Sequence, residues 1–252
     1  MSELSQPVSP VSFHYADVAK MIDHSLLNPT LTWDDLERGC QIAKDYDVAS
    51  VCIMPFALKR CAEILQGSDV KASTTIGFPH GVQRTEIKVA ETLAAIEDGG
   101  QELDMVVNIS KVLSGDWQYV EQDIAGVVHL CHASAVKVKV IFENCYLNNE
   151  QKIQLCKICG EIGVDWVKTS TGYGSGGATD ADLILMRKHS PANVQVKAAG
   201  GVRTLDRLLE VRALGVTRCG ATQTVAMLED AKQRLGMASG QKANAEATPG
   251  AY

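Results

Sequence analysis

Residues 136–198 read "VKVKVIFENCYLNNEQKIQLCKICGEIGVDWVKTSTGYGSGGATDADLILMRKHSPANVQVKA", and they decide the fold. Lysine and valine alternate at the start, the period of two that sends successive side chains to opposite faces of a strand. Apolar residues at helical spacing then run over 149–162 and stop at Gly163. A second β-prone run at 166–169 leads through glycines and hydroxyls into a helical stretch at 179–188, and a third strand follows at 194–198. Strand, helix, strand, helix, strand at this spacing is the pattern of a parallel sheet built from βα units.

The same alternation extends in both directions. Strands are expected over 22–24, 50–53, 71–76, 102–107 and 217–219, and helices over 32–46, 56–65, 85–98, 117–131, 204–214 and 224–234, after an opening helix at 15–21. Thr32 with Asp35, Thr179 with Asp182 and Thr204 near Asp206 are suited to cap helix starts, and Gly99 and Gly215 to close helices. Eight βα units in 252 residues, with no break in composition, predict an α/β chain folded as one (β/α)₈ TIM barrel with a short extra N-terminal helix. A Rossmann fold is disfavoured because no G-x-G-x-x-G follows the first strand. The barrel is expected over 12–236, with flexible segments at 1–11 and 237–252.

The composition, 46% hydrophobic and 21% charged, is that of an ordinary globular protein. A net charge of −6 and the lack of any basic run longer than two residues give no footprint for nucleic acid or an anionic membrane. The opening "MSELSQPVSPVS" lacks the regions of a signal peptide, and no stretch is a membrane span, so a cytoplasmic protein is expected. Eight cysteines scattered through strands and helices read as reduced thiols, and the C-x-x-C of Cys156 and Cys159 falls inside a helix, where packing explains it. The six histidines form no ligand motif, so neither a metal nor a cofactor is expected.

Chemistry in such a barrel lies at the C-terminal ends of the strands. "WVKTS" puts Lys168 near the end of the sixth strand and "VQVKAAGG" puts Lys197 at the equivalent place on the seventh, so both are expected at one mouth. Asp104 lies among apolar residues on the fourth strand, and Lys137 and Lys139 share a face of the fifth. Two amines and a carboxylate suit imine formation. A lysine of pKa about 10.4 must be lowered by about three units, roughly 4 kcal/mol, to act as a free amine. A second ammonium about 4 Å away supplies energy of that order at an effective dielectric of about 20, and desolvation adds to it. Asp104 is then placed to relay protons. Beyond the lysines, "AAGGVRT" supplies Gly200 and Gly201 and "CGATQT" supplies Gly220. Their spacing fits a phosphate cradle and a tight βα turn equally well.

The motifs "VKTSTGYGSGGAT", "VKAAGGVRT", "ELDMVVN", "IGFPHG" with "TEIKVAET", "VCIMP" and "IDHSLLNP" together resemble the 2-deoxyribose-5-phosphate aldolases, class I aldolases with a (β/α)₈ fold, from about residue 22 to 227. The resemblance implies reversible cleavage of 2-deoxy-D-ribose 5-phosphate to acetaldehyde and D-glyceraldehyde 3-phosphate, with a sugar phosphate and aldehydes as the partners. It further implies that Lys168 forms the Schiff base, Lys197 perturbs it and Asp104 relays protons. Gly200, Gly201, Gly220 and Ala221 would surround the phosphate. Asp23, Cys52 and Lys139 would line the pocket, with Thr169 beside the substrate. Thr222 and Gln223 stand where many members carry serines, which weakens the phosphate inference, and Phe142–Asn144 replaces a commoner threonine-containing form. A homo-oligomer, dimer or tetramer, is expected.

Two other readings stay open, a Schiff-base barrel aldolase taking a hydroxylated donor and a non-catalytic sugar-phosphate-binding barrel. The tail "MASGQKANAEATPGAY" ends on Tyr252. About 15 residues of flexible chain reach roughly 20 Å, enough to bring that phenol to the mouth as a proton relay.

Overall fold

The structure, a computed structural model, describes residues 12–238. Helix α1 (Tyr15–Ala19) precedes β1 (Ile22–Leu26), α2 (Trp33–Asp45), β2 (Ser50–Ile53), α3 (Leu58–Leu65), β3 (Lys71–Ile76), α4 (Thr85–Glu97) and β4 (Glu102–Val106). The second half runs α5 (Ile109–Leu113), α6 (Trp117–Ala133), β5 (Lys137–Ile141), α7 (Asn149–Ile162), β6 (Trp166–Lys168), α8 (Asp180–His189), β7 (Gln195–Ala199), α9 (Leu205–Ala213), β8 (Arg218–Ala221) and α10 (Thr224–Arg234). All strands pair in parallel, each with its sequence neighbour, and β1 closes on β8 through Asp23 against Gly220. The chain is therefore the eight-stranded (β/α)₈ barrel with an extra N-terminal helix that the alternation implies.

Local chemistry fixes the element ends. The Thr32, Thr179 and Thr204 hydroxyls accept from the backbone N–H groups of Asp35, Asp182 and Arg207 and so satisfy donors in the first helical turns. Gly163, at φ +83°, ends α7 in the left-handed conformation that a side chain disfavours. Helix α5 was not expected. Its five residues "ISKVL", capped by Asn108, are too short to show helical periodicity.

The barrel has two interiors. Outward strand positions such as Val51, Leu103, Met105, Val138, Val140, Val167 and Val196 are buried against the surrounding helices and form the apolar layer. Positions facing the lumen are largely polar: Asp23, Ser50, Ser73, Glu102, Asp104, Lys139, Lys168 and Lys197 are all buried. The alternation in "VKVKVI" is this division written in one strand.

All eight cysteines are free, and Cys156 and Cys159 are buried within α7. His132 lies 3.0 Å from Asp165. Among the described residues no helix is long and apolar enough to cross a membrane. Segment 1–11, most of segment 237–252, and Tyr252 with it, lie outside the described residues.

Candidate active site

The strand register assembles the site. Asp104 of β4 sits opposite Lys139 of β5, and Lys168 of β6 sits opposite Lys197 of β7. Because alternate residues of each strand face the lumen, these side chains meet there together with Asp23 from β1 and Arg218 from β8. One carboxylate oxygen joins the two strand-end lysines. Asp104 Oδ2 accepts from Lys168 Nζ and from Lys197 Nζ, each at 2.7 Å, while Oδ1 accepts from Lys139 Nζ at 2.9 Å.

A second carboxylate backs the first. Lys197 Nζ lies 2.5 Å from Asp23 Oδ2, and Asp23 Oδ1 accepts from Ser50 Oγ at 2.7 Å and from Arg218 at 2.6 Å. Lys139 also contacts Glu102 at 2.7 Å, and Glu102 receives Arg218 at 2.9 and 3.0 Å. Four cations thus meet three carboxylates, all but Arg218 buried. The cluster balances when one amine is neutral.

Burial pushes the Lys168 amine below its ordinary value; Asp104 opposes this and the Lys197 ammonium reinforces it. For Lys197, burial is outweighed by Asp104 and Asp23, so its ammonium form is stabilised. Lys139 is likewise held well above the usual range by Asp104, Asp23 and Glu102. Burial alone would raise Asp23 and Asp104, but the cations around them hold both carboxyls well down. Lys168 is the amine of this cluster pushed toward neutrality.

The lysines do not stand at a solvated rim. Lys168 is 3% exposed and Lys197 1% exposed, because they point into the lumen beneath the loops. Burial is the first cause of the Lys168 shift, and the Lys197 ammonium adds to it.

A pocket opens above them, with about 620 Å³ of empty space including its mouth. Asp23, Cys52, Lys168 and Lys197 line it, and Gly200, Gly201, Gly220 and Ala221 form part of its wall. Three expected residues are not among its lining. Asp104 is buried under the two amines. Lys139 is held lower in the lumen on Glu102 and Asp104. Thr169 follows an inward lysine and so faces outward, where its hydroxyl donates to Ala199 O and accepts from Ala199 N. Lys139 and Thr169 thus stand behind the pocket wall rather than in it.

Sequence reasoning missed Ser25, Leu27, Thr171, Gly172, Ala199, Val202 and Arg203 in the lining. Ser25 could have been found, since it shares the lumen face with Asp23 two residues earlier. Thr222 lines the pocket and Gln223 does not. The Phe142–Asn144 stretch has a visible role. Phe142 is buried, and Glu143, at φ +58°, accepts from both the backbone N–H and the hydroxyl of Thr171. Tyr173 N donates to Thr171 Oγ1 at 2.9 Å, and Tyr173 Oη donates to Leu27 O at 2.6 Å. The loops after β5, β6 and β1 are thereby linked around the mouth. The loops after β6 and β7 also touch: a Cβ on Gly200, at φ +80°, would stand 2.8 Å from Gly177 Cα.

A parallel barrel with two buried lysines on one aspartate beneath an open pocket is a site of the class suited to carbonyl chemistry on an amine. Comparison with known proteins agrees with that class: residues 17–244 match the DeoC/LacD family aldolase model, and the chain belongs to that family, which makes it a carbon–carbon lyase. It is 65% identical over 225 residues to the deoxyribose-phosphate aldolase of Rhodopirellula baltica, covering 89% of this chain and 93% of that one. Identity to the deoxyribose-phosphate aldolase of Thermococcus gammatolerans is 45%, covering 86% and 97%. The deoxyribose phosphate aldolase of Aeropyrum pernix, described as having a unique tetrameric structure, superposes with a TM-score of 0.81 at 28% identity, covering 88% and 93%.

Proposed function

We propose that this protein reversibly cleaves 2-deoxy-D-ribose 5-phosphate to acetaldehyde and D-glyceraldehyde 3-phosphate through a Schiff base on Lys168. The observation that carries the mechanism is the sharing of Asp104 Oδ2 by two buried lysines whose protonation is biased in opposite directions. The substrate is inferred from the relatives that bear the deoxyribose-phosphate aldolase name.

In the cleavage direction the Lys168 amine adds to C1 of the open-chain sugar, and the carbonyl oxygen takes a proton from the Lys197 ammonium. Asp104, touching both nitrogens, carries protons between them. Loss of water gives the iminium ion. The C3 hydroxyl then gives up its proton, the C2–C3 bond breaks, and its electron pair forms the enamine as glyceraldehyde 3-phosphate leaves. Protonation of the enamine carbon and addition of water release acetaldehyde and restore the amine.

The phosphate is assigned to the wall formed by Gly200, Gly201, Gly220 and Ala221, with Arg203 lining the same pocket. Helix α10 begins two residues after Thr222, and its N-cap Gln223 makes no side-chain cap bond, which leaves first-turn N–H groups for an anion. Tyr252 would assist proton transfer at the enamine carbon. The barrel domain spans 12–236, and the protein works as a cytoplasmic homo-oligomer, dimer or tetramer, which sedimentation would measure.

The deciding experiment is reductive trapping with acetaldehyde followed by peptide mapping. A two-carbon adduct on Lys168 alone is expected. An adduct on Lys197 would reverse the roles, and no adduct would leave only a binding barrel. Equal turnover with hydroxylated donors would point to the other aldolase reading.

A further inference from the structure

At the floor of the lumen, Arg218 and Glu102 belong to the charge cluster but touch none of the groups assigned to the reaction steps. Arg218 comes from the start of β8, and its guanidinium reaches Glu102 with two bonds of 2.9 and 3.0 Å and Asp23 Oδ1 with one of 2.6 Å. It also stacks over the Trp166 ring, 5.0 Å from the centroid, and the Trp166 indole N–H donates to Thr217 Oγ1 at 3.0 Å. Such a planar fork, bonded along its edges and set against one ring, is a rigid support.

Asp23 transmits this support upward. Its Oδ1 is occupied by Arg218 and Ser50, so its Oδ2 is turned to Lys197. Lys197 in turn shares Asp104 Oδ2 with Lys168. A line of contacts therefore runs from Glu102 to the amine through Arg218, Asp23, Lys197 and Asp104.

We propose that Arg218 and Glu102 are a positioning pair: Arg218 fixes Asp23 so that Lys197 is held on Asp104, and the two charges together set the balance that leaves Lys168 a free amine. The inference rests on Lys168 being the Schiff-base lysine. The charged and titratable groups facing Lys168 are Asp104, Lys197 and Cys52, with Asp23, Lys139, Glu102 and Arg218 behind them. β3 contributes only the uncharged Ser73 and Thr75 at this level. Removing a cation from this set stabilises protonated Lys168, and removing an anion does the reverse.

The test is the rate of trapping by cyanoborohydride with acetaldehyde as a function of pH, which rises as Lys168 loses its proton. Arg218→Gln is expected to move the rising limb up by about one pH unit, and Glu102→Gln to move it down by a similar amount. Arg218→Gln combined with Glu102→Gln should return it to the wild-type position. Arg218→Lys keeps the charge and should keep the limb, while the loss of the fork lowers kcat. A merely structural role would lower kcat or stability in all of these and leave the limb where it is.

A folded Arg218→Gln protein with the wild-type limb would overturn the proposal. Should that variant fail to fold, an unmoved limb in Glu102→Gln would overturn it equally. The site of the adduct separates this outcome from a failure of the Schiff-base reading: trapping on Lys168 with an unmoved limb removes only the role of the pair, whereas trapping elsewhere removes both.

Discussion

Replacing Lys197 with leucine removes a cation that shares Asp104 Oδ2 with Lys168. Both nitrogens lie 2.7 Å from Asp104 Oδ2, so they are no more than 5.4 Å apart. At an effective dielectric of about 20, unit charges at that distance interact by about 3 kcal/mol, which corresponds to about two pH units. Asp104, relieved of Lys197, attracts the Lys168 proton more strongly and acts in the same direction. Burial still favours the neutral amine, so the shift stops short of a full return to the ordinary lysine range. The ascending limb of kcat/KM for retro-aldol cleavage should therefore move up by about two units, with activity near pH 7 lower by roughly 100-fold or more because the Lys197 proton donor is lost as well. The assay is a coupled rate measurement across pH 6–10, with circular dichroism to verify the fold. A limb in the wild-type position would mean that burial alone holds Lys168 down, and the electrostatic role of Lys197 would be abandoned.

Three further outcomes follow from geometry elsewhere. Burial of His24 pushes its imidazole down to about 4. The unfolded chain, with a value near 6.5, therefore binds more protons between these limits, and stability present above about pH 6.5 is lost as pH falls toward 4, up to about 3 kcal/mol. Urea melts of wild type and His24→Gln should differ in slope across that window, and parallel curves would refute the assignment. Gly200→Ala drives a Cβ onto Gly177 Cα and should raise KM for the phosphorylated sugar about tenfold, with little change for 2-deoxyribose itself; an equal loss on both would mean that this loop does not hold phosphate. Lys88 Nζ is buried on Asp123 at 2.5 Å and Val106 O at 2.9 Å, so Lys88→Met strands a buried carboxylate and should cost about 3–5 kcal/mol in chemical denaturation.

Much of the barrel can be read in the sequence because its strands separate two environments. Valines that pack on helices alternate with lumen-facing charges, and this period survives in strands as short as "WVK". The short α5 escapes because five residues make barely one helical turn. Lys168, Lys197 and Asp104 stand out as charges inside apolar runs. Glu102 and Arg218 do not, because each opens its strand and looks like a solvated end. Their pairing depends on barrel closure, which brings β8 beside β1 and places Arg218 across the lumen from β4. No spacing along the chain encodes that. The outward turn of Thr169 follows from the same period that turns Lys168 inward and was legible all along.

The polar lumen changes what can be altered in this protein. Many barrels fill the lumen with branched apolar side chains, so any rebuilt interior must be repacked. Here cohesion lies in the shell between strands and helices, where Val138, Val140, Val167 and Val196 are buried, and the bore is an electrical component insulated by that shell. New carbonyl chemistry can be installed in the bore while the shell is left intact, provided that substitutions come in charge-conserving sets. A lone exchange leaves an unmatched ion away from water, whereas a matched pair keeps the current total and only redirects where the proton rests.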